Sequence, residues 1–154
     1  SNVKMVFIIH SCMLVGLEIV MLNSRLTKKE LEWQLNDCGV ELVLVDDAFK
    51  EVVAGSSVRS LLFSALEDSD ENDLHVEKTW DSDRTITIMY TSGTTGHPKG
   101  VRQTAGNHVS SALSSVLNLG LCEEDSWLCA MPLFHISGFS ILVRSVIYGM
   151  EVRR

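Results

Sequence analysis

The stretch TKKELEWQLNDCGVELVLVD, Thr27 to Asp46, constrains the fold more than any other part of the chain. Thr27 with Glu30 three residues on is a capping-box pattern, and it opens a helix predicted over 28–38. Leu31 and Leu35 share one face of that helix at i, i+4 spacing, and Gly39 is placed to stop it. VELVLVD, Val40 to Asp46, follows at once as a strand rich in Val and Leu. A capped helix running straight into a buried strand is the repeating unit of α/β folds, in which a parallel-type sheet carries helices on its faces.

The same alternation is read along the rest of the chain. VKMVFIIHSCMLVGLEIVML, Val3 to Leu22, is nearly apolar for about twenty residues, the length of a membrane span. Lys4, His10 and Glu18 interrupt it, and Gly16 divides it into a buried helix followed by a strand over 18–22. No membrane segment and no cleavable leader is expected. The chain opens on Ser-Asn, which points to an internal or processed piece. Residues 58–66 read as a short helix or strand. TITIM, Thr85 to Met89, is a strand with Ile86 and Ile88 on one face, and 100–103 is β-like. A helix is predicted over 104–119 with Val109, Leu113, Val116 and Leu117 as its apolar stripe. SWLCAMP is a strand stopped by Pro132, and a mostly buried helix over 137–148 ends at Gly149.

The 154 residues, 45% hydrophobic, suffice for one core. The net charge of −7 is concentrated: Leu66 to Arg84 hold eight acids and two bases. That excess marks a solvated, partly disordered connector and excludes a basic nucleic-acid surface. The chain therefore divides into a first α/β part (1–65), the acidic connector (66–84) and a second part (85–154). Cys12, Cys38, Cys122 and Cys129 show no CxxC spacing and read as thiols in a reducing, cytoplasmic compartment rather than as metal ligands.

The chemistry is concentrated in YTSGTTGHPKG, Tyr90 to Gly100, which leaves the end of the TITIM strand. Glycines at 93, 96 and 100 allow close backbone approach, Ser92, Thr94 and Thr95 add hydroxyl donors, and Lys99 adds a cation. No Asp or Glu occurs between Thr85 and Asn107, so the donor set suits an oxygen-rich anion, phosphate above all. A Walker loop is excluded, because GxxxxGK[ST] needs Gly before the lysine and a hydroxyl after it, whereas Pro98 and Gly100 flank Lys99.

This loop resembles the phosphate-loop signature of the adenylate-forming enzymes, the superfamily of acyl- and aryl-CoA ligases, peptide-synthetase adenylation domains and luciferases. MPLFHISG, Met131 to Gly138, is similar to the segment lining the family's carboxylate pocket, and LNSRLTKKEL, Leu22 to Leu31, to its upstream segment. Within the family the second half looks most like the CoA ligases of aromatic acids. The resemblance implies an incomplete part of the large N-terminal α/β domain, and an activity that uses ATP, Mg2+ and coenzyme A to activate a small-molecule carboxylate. It implies that Thr91, Ser92, Gly93, Thr94, Thr95, Gly96 and Lys99 hold the ATP phosphates, with Thr91 also in the magnesium shell. By the same resemblance His135 positions and gates, and His135, Ser137 and Gly138 border the acyl pocket. Asn107 and His108 are either polar residues of a helix start or substrate contacts. Arg144 either meets a substrate carboxylate or is held internally by an ion pair or by snorkelling, and Arg102 is equally open. Trp33, Trp80 and Trp127 read as packing residues. The family's C-terminal domain is absent, so the chain alone is expected to be inactive and, with an exposed sheet edge, prone to self-association. A fatty-acyl ligase, a peptide-synthetase domain and a non-catalytic nucleotide-binding module are the alternatives.

Overall fold

Asn2 accepts a hydrogen bond from the Met5 N–H at 2.9 Å and opens helix α1, Val3–Leu14, which leads into strand β1, Ile19–Met21. The computed structural model describes residues 2–66, 75–92 and 97–153. The remaining elements are α2 (Lys28–Cys38), β2 (Leu42–Val45), a short turn of helix α3 (Lys50–Val53), β3 (Arg59–Leu62), β4 (Thr85–Thr91), β5 (Lys99–Thr104), α4 (Ala105–Leu119), β6 (Ser126–Leu128), α5 (Ile136–Tyr148) and β7 (Glu151–Arg153). They form two units, Ser1–Met21 with Val76–Arg154, and Leu22–His75. Helix α1 and strand β1 belong to the larger unit, where Ile9, Met13 and Met21 share a core with Ile86, Met89 and Phe139.

In the smaller unit the capping box forms as expected: the Thr27 N–H donates to Glu30 Oε2 at 2.8 Å and the Glu30 N–H to Thr27 Oγ1 at 3.4 Å. Gly39 ends α2 at φ 62°, a conformation that only glycine adopts without strain. Leu31 and Leu35 are buried against Val43, Val45 and Val53, so the i, i+4 stripe is the core face of α2. Residues 58–66 are both things in turn: β3 pairs in parallel with β2, and a 3-10 turn follows at Phe63–Leu66.

In the larger unit β1 pairs in parallel with β4, β4 is antiparallel to β5, and β6 is parallel to β7. The open α/β arrangement stands, with one departure from a parallel sheet. Too few residues separate Thr91 from Lys99 for a crossover helix, so β4 and β5 must turn back on each other. As the central strand β4 is buried on both sides, Ile86 and Thr87 completely.

Two helix faces differ from their sequence reading. Only Ile9 and Met13 of α1 are buried, while Val3, Phe7 and Leu14 are exposed. In α4 three of the four residues of the expected stripe point outward, with Val109, Leu113 and Leu117 exposed, the last at 85%, and Val116 half-buried. The buried face is Ala105, His108 and Ala112, whose small alanines let α4 come close to α5, where Tyr148 Oη donates to the Ala112 carbonyl. Within the acidic connector, backbone bonds tie residues between 75 and 84 to the larger unit. Residues 67–74 lie outside the described ones, but Glu77 N–H bonds the Leu14 carbonyl at 2.8 Å. The carbonyls of Arg84 and Ser82 accept the N–H groups of Ala105 and Gly106 at 2.9 and 2.8 Å, capping the first turn of α4. None of the four cysteines is in a disulfide. No helix among the described residues is long and apolar enough to cross a membrane.

Candidate functional site

The β4–β5 hairpin sets the geometry of the phosphate loop. Tyr90 pairs with Gly100 and Thr91 with Lys99, so the two strands end side by side on a hydroxyl and an ammonium. Thr91, Ser92 and Lys99 are exposed, which leaves their polar ends in water and accessible to an anion. Gly93, Thr94, Thr95 and Gly96, expected to complete the cradle, lie outside the described residues. Gly100 is needed for close approach, since a Cβ there would sit 3.1 Å from Ile88 Cγ2 and 3.3 Å from Tyr90 Cζ.

Four pairs back along the same hairpin lies a polar network that the sequence reading missed. Thr87 Oγ1 donates to Gln103 Oε1 at 3.0 Å and lies 3.1 Å from His108 Nε2. A hydroxyl has one hydrogen, so with Gln103 as its acceptor the histidine must be the donor, which assigns the Nε2–H tautomer. The ring of His108 packs against Phe139 with centroids 5.5 Å apart. His108 is thus a core residue and not a surface polar group at a helix start. Asn107 is the reciprocal half of a capping box: its N–H donates to Thr104 Oγ1 at 3.2 Å and its Oδ1 accepts from the Thr104 N–H at 3.0 Å. The available signal was the polar Thr87 in a strand apolar on both sides, which needs partners from nearby polar residues.

Burial lowers the pKa of His108 from 6.5, because the charged ring is poorly solvated there. A histidine with a depressed folded pKa binds fewer protons when folded than when unfolded. Stability is therefore full above about pH 6.5 and is lost as the pH falls below it. His10 is shifted the same way. Thermal unfolding between pH 8 and pH 5 is expected to show a smaller decline for His108→Gln than for the wild type, and equal declines would assign the effect to other groups.

The second motif forms a tight turn leading into α5. The His135 N–H donates to the Pro132 carbonyl at 3.1 Å, and the His135 carbonyl accepts from Gly138 and Phe139, each at 3.0 Å. His135 is the N-cap residue of α5 but makes no side-chain capping bond; its ring packs on Phe134 at 4.7 Å and stands exposed. Ser137 is exposed beside it. Gly138 is buried, and a Cβ there would lie 2.3 Å from the Pro132 oxygen and 2.6 Å from that of Met131. Phe139, fully buried, is the link to the first motif through His108.

Two arginines find internal partners. Arg102 Nη2 meets Glu18 at 3.1 Å and its Nε donates to Thr85 at 3.3 Å, an exposed pair of small energetic effect. Arg144 lies over the Trp127 ring at 5.2 Å and donates from Nη2 to Ser111 Oγ at 3.0 Å, while its Nε is buried with no hydrogen-bond partner among the described residues. No carboxylate pairs with it among those residues. The cation–π contact accounts for its place in an apolar helix, and Trp127 is a packing residue with that added role. No group of three His, Cys, Asp or Glu among the described residues is arranged to hold a metal ion.

Residues 1–153 match the family described as AMP-binding enzyme. The chain belongs to the AMP-binding enzyme family. Within it, the chain is 51% identical over 153 residues to the 2-succinylbenzoate–CoA ligase of Listeria monocytogenes serovar 1/2a (strain ATCC BAA-679 / EGD-e), covering 99% of this chain and 32% of that protein. Its fold matches the o-succinylbenzoate coenzyme A synthetase of Bacillus subtilis solved with ATP and magnesium ion at a TM-score of 0.93 and 46% identity, over 99% of this chain and 32% of that one. The same synthetase solved with the acyl-adenylate intermediate OSB-AMP gives a TM-score of 0.92 over 99% of this chain and 40% of that one. The AMP-binding chain described here thus spans about a third of the length of the curated relatives it matches.

Proposed function

We propose that the chain is the phosphate-loop and acyl-pocket part of an ATP-dependent ligase that activates 2-succinylbenzoate as its acyl-adenylate and passes the acyl group to coenzyme A, a step of menaquinone synthesis. The observation that carries the reading is the hairpin that sets Lys99 opposite Thr91 at the mouth of a hydroxyl- and glycine-rich loop. The names and bound ligands of relatives near 50% identity support the choice of acid. A fatty acyl CoA synthetase of Mycobacterium tuberculosis with the same fold is more distant, at 24% identity.

In this reading a carboxylate oxygen attacks the α-phosphorus of ATP and pyrophosphate leaves; the thiolate of coenzyme A then attacks the acyl carbon and AMP leaves. Both anions must be held together while charge develops on the phosphoryl oxygens. Lys99 and the hydroxyls of Thr91, Ser92, Thr94 and Thr95 oppose that charge, with the N–H groups of Gly93 and Gly96. Thr91 would help to hold the magnesium ion that accompanies the triphosphate, whose charge would offset that of the phosphate oxygens. The attacking carboxylate is ionised at neutral pH and needs no base, so exposed His135 positions and gates, with Ser137 and Gly138 forming the adjacent wall. The enzyme is proposed to act in the cytoplasm on small molecules, without nucleic-acid or membrane partners. The 154 residues alone are proposed to lack turnover and to self-associate.

Mass spectrometry of the full-length protein with ATP, magnesium and coenzyme A tests the acid. The thioester of 2-succinylbenzoate is expected, with little from benzoate or a medium-chain fatty acid. Preference for another acid would retain the chemistry and discard the substrate.

A further inference from the structure

Pairing along the hairpin carries a one-residue irregularity. Thr85 pairs with Thr104, but Thr87 pairs with Gln103, and from there the ladder runs evenly to Thr91 opposite Lys99. Ile86 is the extra residue, and it is completely buried. Had the Thr85–Thr104 pairing continued without it, Thr91 would face Pro98, which has no N–H to give to the ladder. Lys99 would then be displaced by one residue, with its side chain on the opposite face of the strand. The end that binds phosphate is therefore correct only in the shifted register, and something must hold the shift.

We propose that Thr87, Gln103 and His108 are positioning residues, a buried lock that fixes the β4–β5 register and so aims Lys99 and Thr91 at the nucleotide. Thr87 forms the first pair after the irregularity, is 0% exposed, and joins strand β5 through Gln103 and helix α4 through His108. Each neighbour of Thr87 in β4 is an isoleucine. A slip would therefore set an apolar side chain against Gln103 and His108 and leave both polar groups without their partner, which is unfavourable in a buried setting. His108 is itself held by Phe139, at the start of the helix that follows the second motif. The irregularity lies at the end of the hairpin farthest from the loop, so the register it sets carries through every later pair to Thr91 and Lys99.

This inference rests on the nucleotide reading given above, and two measurements separate their failures. Thr87→Val keeps the shape and removes the hydroxyl, whereas Thr87→Ser keeps the hydroxyl. In the full-length ligase, Thr87→Val is expected to raise the KM for ATP about tenfold while leaving the KM for the carboxylate within about twofold, and Thr87→Ser to restore the wild-type value. An unchanged KM for ATP, or equal losses for both substrates, would overturn the lock and leave Thr87 a packing residue. The second measurement is amide hydrogen exchange of Tyr90, Thr91, Lys99 and Gly100, which needs no activity. Thr87→Val is expected to speed their exchange about tenfold relative to β1, and uniform change across the unit would also overturn the proposal. If the wild type activates no acid, the ligase reading fails while hydrogen exchange still decides the lock.

Discussion

Replacing Gly138 with alanine is expected to destabilise the protein by about 3 kcal/mol or more, because the new Cβ has nowhere to go. It would lie 2.3 Å from the Pro132 oxygen and 2.6 Å from the Met131 oxygen, and both obstacles are backbone rather than the mobile end of a side chain. Relief requires the first turn of α5 to move off the turn that precedes it. That movement breaks the bonds from Gly138 and Phe139 to the His135 carbonyl and disturbs Phe139, one of the fully buried side chains of the larger core. Urea unfolding measures the loss directly. Gly149→Ala is the control: its φ is 67° with open space around the added methyl, so only the backbone term, about 1 kcal/mol, is expected. Equal effects at the two glycines would show that the preceding turn yields to the methyl and that crowding does not set the requirement at Gly138.

Replacing Lys99 with alanine is expected to do the reverse, sparing stability and removing activity. Lys99 is exposed at the end of β5 and contributes no side chain to the core, so the change in unfolding free energy should stay within about 0.5 kcal/mol. Loss of one preorganised positive donor at a charge-developing centre lowers kcat by about 100- to 1,000-fold. Steady-state adenylation and thermal unfolding on the same full-length preparation check both halves. A variant with near-normal turnover would remove Lys99 from the phosphate site.

These two residues also mark what can be read from sequence. Lys99 stands out in the sequence through local chemistry alone: a cation among glycines and hydroxyls with no acid nearby. The capped helix α2 and its Leu31–Leu35 face were legible for the same reason, since caps and periodicity act within a few residues. Gly138 was singled out for its motif, but its packing against Pro132 depends on how a turn closes on a helix, which no spacing encodes. The face of α4 was misread because Val109, Leu113 and Leu117 form a stronger apolar stripe than Ala105, His108 and Ala112. Which stripe turns inward is decided by partners far along the chain, here Phe139 and Tyr148 of α5. The Thr91–Lys99 pairing rests on a bulge at Ile86 inside a uniform β-branched run, where every register looks alike in sequence.

The central claim is that this hairpin serves adenylation of 2-succinylbenzoate. ATP–pyrophosphate exchange by the full-length protein without coenzyme A tests it most directly, because it reports the acyl-adenylate step alone. Exchange that depends on 2-succinylbenzoate and disappears in Lys99→Ala is the predicted result. Absence of exchange with every acid tried, or exchange that survives loss of Lys99, would contradict it.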